Sequence, residues 1–175
     1  RKRTGADRWD ETWDDICRIV SPPSAEHSTV EMELEVWLQM TWGQATGGRV
    51  LCQTPVSIEQ DWKNNFRLPD ISLVAQSQAD LVHEDHVAGP PMVVIEIHEP
   101  DSLSYKKLDY YAEIGVAEVW IVHLNGRPVE MYTRRGSELE QIKADDGQKM
   151  LSPATGIQLQ ARPSSALLLA FGDEE

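Results

Sequence analysis

Met92-Val93-Val94-Ile95-Glu96-Ile97-His98 is the most apolar stretch in the middle of the chain, and it carries one acidic residue in its interior. Side chains alternate faces along a strand, so Val94, Glu96 and His98 share one face while Val93, Ile95 and Ile97 share the other. A carboxylate in a strand this apolar is costly to bury unless it meets a cation or reaches water at the sheet end. The segment that follows predicts a helix over 102–114, stopped by Gly115. At about 100° per residue, Leu103, Tyr110, Tyr111 and Ile114 form its apolar arc, and Lys107 falls near the centre of that arc. Lys106 lies on the polar flank with Asp109 and Glu113. Lys107 is therefore expected to point at the sheet and pair with Glu96 or Asp70, and Lys106 to point at solvent.

Outward from this core, Pro69-Asp70 opens another apolar strand, Ile71 to Ala75. Two carboxylates at the ends of neighbouring strands can share one hard divalent cation, so Asp70 and Glu96 are expected within about 6 Å of each other. Mg²⁺ or Mn²⁺ held there, with a lysine beside it, meets the requirements of phosphodiester hydrolysis.

Towards the N-terminus, residues 13–20 read as a strand ended by Ser21-Pro22-Pro23-Ser24. Ser24 then caps a helix to about Thr41, with Val30, Leu34, Trp37 and Leu38 as its apolar stripe and Glu31, Glu33 and Glu35 facing mostly elsewhere. Gly47-Gly48 ends it. Residues 49–53 and 55–59 are short strand candidates, and 76–91 read as a loop in which His83 and His86 are solvated rather than ligands. Towards the C-terminus, strands over 118–124 and 129–134 are joined by the turn Asn125-Gly126, and short antiparallel strands follow to Phe171. The fold class expected is α/β, with a mixed sheet flanked by helices and extra antiparallel strands, in a single domain over 1–175.

The 175 residues are 41% hydrophobic and 26% charged, ordinary for a globular protein. No apolar run approaches the roughly 20 residues that cross a bilayer. Arg1-Lys2-Arg3 has no apolar segment behind it and does not read as a secretory signal. A cytoplasmic chain without a membrane partner is expected, and a homodimer is compatible with it. Cys17 and Cys52 are far apart, lack a zinc-ligand spacing and read as buried free thiols. The net charge of −13 opposes binding to a polyanion. A DNA-cutting activity would need a local basic rim, for which Arg127, Arg134 and Arg135 are the candidates.

Pro69-Asp70-Ile71, Val94-Ile95-Glu96-Ile97, then Lys107-Leu108 through Tyr111 to Gly115-Val116 and Glu118-Val119-Trp120-Ile121-Val122 together resemble the Uma-two family. This is a large bacterial group of candidate restriction endonucleases in the PD-(D/E)xK superfamily. Asp7-Arg8-Trp9-Asp10-Glu11, Trp13-Asp14 and Ser21-Pro22-Pro23-Ser24 with His27 are similar too, so the resemblance spans about Asp7 to Tyr132. It implies a restriction-endonuclease-like core with Asp70 and Glu96 as metal ligands and Lys107 as a motif lysine moved from the strand to the helix. It makes Glu11 a further ligand candidate, with His27 and Tyr111 as additional site candidates. His98 stands where the motif lysine would be, as either an extra ligand or a strand-end residue. Glu99 stands where a serine is common, and Leu103 replaces an acidic residue. The implied function is a Mg²⁺-dependent endonuclease acting on DNA. The alternative is an interaction module that kept the fold without the activity, favoured by the charge and by His98.

Overall fold

The computed structural model of the protein describes residues 1–124, 129–161 and 167–172. Arg127 and the turn Asn125-Gly126 lie outside the described residues.

Two short strands, β1 (Glu11–Trp13) and β2 (Ile16–Arg18), form an antiparallel hairpin where one strand was expected. The break falls at Asp14 and Asp15, both left-handed at φ 49° and 64°. Aspartate tolerates that region, and it suits a two-residue hairpin turn. The hairpin turns Cys17 outwards, so this thiol is exposed and Cys52 only partly buried, a correction to the expected buried pair.

Helix α1 (Ala25–Leu38) starts at the expected cap, with Ser24 Oγ accepting from the His27 backbone N–H at 3.1 Å. It runs on through a π-helical turn, Gln39–Gly43, into a last turn, α2 (Gln44–Thr46), and ends at Gly47 with φ 71°. Strands β3 (Arg49–Cys52) and β4 (Val56–Ser57) follow, then β5 (Ile71–Val74), β6 (Val87–Ala88) and β7 (Val93–His98). A 3₁₀ turn at Ser104–Lys107 leads into α3 (Leu108–Ile114), capped by Gly115 at φ 98°. The chain closes with β8 (Glu118–His123), β9 (Glu130–Arg135), β10 (Glu138–Ile142), β11 (Lys149–Leu151), β12 (Ile157–Ala161) and β13 (Leu167–Phe171).

The main sheet is mixed, in the order β10-β9-β8-β7-β5-β3, with β7 and β8 parallel and the other neighbours antiparallel. One face packs Val93, Ile95, Ile97 and Trp120 against Leu34, Leu38 and Trp42, and against the β11-β12-β13 sheet through Met150, Ile157 and Leu159. The other packs Val74, Val94 and Val119 against Tyr110, Tyr111 and Ile114 of α3. Each fully buried side chain of this size contributes about 1.5–3 kcal/mol, so the sheet is fixed from both sides. Buried His86 stacks on Trp62 at 4.9 Å, so it is a packing residue and not a solvated one. Among the described residues no helix is long and apolar enough to cross a membrane.

Candidate active site

The alternation of β7 places Glu96 on the α3 face of the sheet, where it is 3% exposed. Ile71 pairs with Ile95, and continuing that antiparallel register sets Asp70 opposite Glu96. Asp70 Oδ2 accepts a 2.6 Å hydrogen bond from the Ile97 backbone N–H, which ties the two strand ends together. Both carboxylates line one cavity of about 440 Å³, walled by the Ile19–Ser24 strap and the Glu99–Ser104 loop.

Lys107 reaches into this cavity, buried, while Lys106 is exposed, as expected, although both stand on a 3₁₀ turn and the α-helix expected from 102 begins only at Leu108. Its Nζ lies 3.0 Å from both Glu96 oxygens, 2.8 Å from Glu11 Oε1 and 3.0 Å from the Leu68 carbonyl. The Tyr111 hydroxyl donates to Glu96 Oε1 at 2.6 Å. Glu11 also accepts from Trp13 Nε1 at 2.6 Å and the Leu68 N–H at 3.1 Å. Desolvation pushes the Glu96 carboxyl up to about 8, against the pull of Lys107 and with Asp70 and Glu11 adding to the rise. Desolvation works against the Lys107 ammonium, but Glu11, Glu96 and Asp70 outweigh it and raise its pKa. Burial and the charges of Glu96 and Glu11 keep Tyr111 protonated, well above its ordinary value.

On the opposite side of Asp70, Oδ1 lies 3.0 Å from His27 Nε2 and accepts from Gln53 Nε2 at 3.0 Å. Gln53 Nε2 also donates to Glu31 Oε1 at 2.9 Å. Glu31 therefore faces inwards, contrary to the sequence expectation. On α1, His27, Glu31, Leu34 and Leu38 fall within about 60° of arc at 100° per residue. The buried stripe is rotated towards them, away from Val30 and Trp37.

Three buried carboxylates, Glu11, Asp70 and Glu96, thus surround one ammonium. The crowding of carboxyl groups in a desolvated pocket, which lifts Glu96 above its ordinary range, is what a divalent cation would relieve, and the donors are the oxygen ligands such an ion takes. His98 stands apart: its Nδ1 is 2.9 Å from Ser102 Oγ and its ring packs edge-on against Tyr105 and His123. Ser102 and Ser104, bonded to each other at 2.8 Å, both line the cavity. Arg134 Nη1 donates to the Ala112 carbonyl and its backbone N–H bonds Ala117, at the β8 start. That is the opposite end of the sheet from the cavity, and exposed Arg135 follows it. Neither Glu31 nor Gln53 was singled out from sequence. The signal for Glu31 was its i, i+4 spacing from His27.

The sequence profile of the Uma2 family, described as "Putative restriction endonuclease", matches residues 6–165. The chain belongs to this family. The fold is similar to the crystal structure of a "putative nuclease belonging to DUF820" from Anabaena variabilis, with a TM-score of 0.66 and 17% identity over 84% of this chain and 83% of that one. No curated protein matches the chain. The Uma2 membership and the mixed sheet flanked by helices agree with the expectations drawn from Asp70, Glu96, Lys107 and the Glu118-to-Val122 cluster.

Proposed function

We propose that this Uma2 protein is a metal-dependent endonuclease that hydrolyses DNA phosphodiester bonds, with Mg²⁺ or Mn²⁺ held by Asp70 and Glu96. The observation that carries this reading is the excess of buried carboxylate around Lys107 on the wall of an open cavity. A bound divalent ion would polarise a phosphoryl oxygen and lower the pKa of the attacking water. Asp70 is oriented by the Ile97 N–H, and Glu96 by Lys107 and Tyr111, so both carboxyl groups are held on the cavity wall, and a bound ion would favour release of the Glu96 proton. Lys107 offsets negative charge as it develops on the phosphate, and Glu11 holds the ammonium in place. Trp9 and the straps over 19–24 and 99–104 border the cavity and limit its access to water.

The acidic surface is uneven. Lys2, Arg3 and Arg8 are exposed on the segment whose Trp9 lines the cavity. Arg1 bonds Asp10 and the Val20 carbonyl, which anchors that segment to the rim. An incoming phosphate chain meets these cations first, and Arg135 is available further along a bound duplex. The test is cleavage of supercoiled plasmid and of single-stranded DNA across Mg²⁺ and Mn²⁺ concentrations. Metal-dependent cleavage lost in Asp70→Asn is the expected result. A protein that binds metal yet cuts neither substrate would instead be an interaction module.

A further inference from the structure

His27 and Glu31 stand four residues apart on one face of α1, so their side chains emerge one above the other towards the sheet. They meet Asp70 from the side of its carboxylate that does not face the Ile97 N–H. One ligand atom from each of His27, Glu31 and Asp70 can be chosen so that all lie within 4.8 Å of one another. Two donors about 2.1 Å from an ion and at right angles are about 3.0 Å apart, and opposed donors about 4.2 Å. His27 Nε2 and Asp70 Oδ1 already show the first of these separations. Half-buried Glu31, at the end of a flexible side chain, can close the remaining half ångström or so.

Two details of the hydrogen bonding point to an occupant. The Gln53 amide N–H₂ sits between two carboxylates and donates to both, where a cation would satisfy them better. A half-turn of that amide presents its oxygen as a fourth ligand. His27 is 7% exposed, and its Nδ1 makes no hydrogen bond. Glu99 Oε2 lies 3.3 Å from it. With Nε2 giving its lone pair to an ion, the ring proton belongs on Nδ1, and Glu99 is the acceptor waiting for it. His27, Gln53 and Asp70 all line the cavity, so an ion can enter.

We propose that His27, Glu31 and Asp70, completed by the Gln53 side-chain oxygen, form a cation site of their own that takes a first-row transition ion such as Mn²⁺ in preference to Mg²⁺. The imidazole is the reason for the preference, since Mg²⁺ favours oxygen donors alone and transition ions accept nitrogen. The site extends the metal-dependent reading of the cavity and shares Asp70 with it, but it stands on different residues and needs no DNA.

The experiment uses the whole chain with MnCl₂ or MgCl₂ alone. Calorimetry is expected to give Mn²⁺ binding at least about tenfold tighter than Mg²⁺, and pulsed EPR of the bound Mn²⁺ to show a ¹⁴N coupling. Glu31→Gln, at a half-exposed position that leaves the core intact, should weaken Mn²⁺ about tenfold or more. His27→Gln should remove the ¹⁴N coupling and the Mn²⁺ preference, while Glu96→Gln should keep both. Bound Mn²⁺ without a nitrogen coupling, or a preference that survives His27→Gln, overturns the proposal. Nitrogen-coupled Mn²⁺ in a protein that cuts no DNA would uphold the site and sink the nuclease reading. Cleavage without such a signal would do the reverse.

Discussion

Glu96 and Glu118 are both strand glutamates sealed from water, at 3% and 1% exposure, yet they have different surroundings. Glu118 accepts from Trp120 Nε1 at 2.9 Å, Ser152 Oγ at 2.6 Å and the Ala154 N–H at 2.9 Å. These three partners are neutral donors, and Glu118 does not line the cavity. The charge is met by directed hydrogen bonds that tie β8 to the turn before β12. Glu96 instead borders the cavity, shares its cation with Glu11 and faces Asp70 across the strand gap. A buried carboxylate is thus not a site by itself. What separates the two is a crowd of acidic groups beside an opening, which leaves one region complete and the other able to take a cation.

The largest effect that would sharpen this contrast is on stability. Lys107→Met strands Glu11 and Glu96 without their ammonium and is expected to cost about 3–5 kcal/mol in chemical denaturation without metal. Adding Glu11→Gln should recover a substantial part, because it removes one of the stranded charges. If the double variant is no more stable than Lys107→Met, the shared-cation account of the pocket is wrong. Glu118→Gln places an amide N–H₂ against donors that need an acceptor. It should lose about 2–4 kcal/mol while leaving cleavage per folded molecule unchanged. A variant of normal stability but lost activity would erase the distinction between staple and site.

A smaller effect follows from the pH dependence of the metal-free protein. The Glu96 carboxyl is raised from 4.5 to about 8 in the fold. The folded protein therefore keeps a proton that the unfolded chain releases, and this stability is present below pH 4.5 and lost as pH rises through about 8. Between those limits the slope should reach about 1.4 kcal/mol per pH unit. The comparison is with Glu96→Gln, in which the Glu96 part of the slope should vanish. His27, also raised, adds a decline above 6.5 in both proteins. Equal slopes in denaturation series from pH 5 to 8 would place the proton elsewhere.

The smallest expected effect concerns the surface. Neutralising Lys2, Arg3 and Arg8 together should reduce the slope of log affinity for duplex DNA against log salt by about 2–3, and Arg135→Ala by at most about 1. Should Arg135 matter more than the three cavity-rim cations, the approach of DNA runs along β9 and not over the segment bearing Trp9.

Much of this arrangement was legible before the structure. Period-two alternation placed Glu96, the helical wheel chose Lys107 over Lys106, and Pro69-Asp70 marked the strand entry. These are local patterns, and local geometry dictates them. The closure of Lys107 by Glu11 is a contact between segments far apart in the chain, which only the resemblance hinted at. Ser152 meets Glu118 from 34 residues away, so nothing in the strand's own pattern distinguished the staple from the site. The stripe on α1 was misplaced because Val30 and Trp37, apolar but only partly buried, outweighed His27 and Glu31 in a count of hydrophobes. A polar stripe continuing an apolar one is the signal that such a count hides.

The most direct measurement is the single-turnover rate of plasmid nicking by wild-type protein and Glu96→Gln at saturating Mn²⁺, with thermal melts of both. A loss of about a thousandfold or more, with a melting temperature equal to or above wild type, is the predicted result. A folded Glu96→Gln protein that nicks within tenfold of the wild-type rate would contradict the assignment of this pocket as the nuclease site.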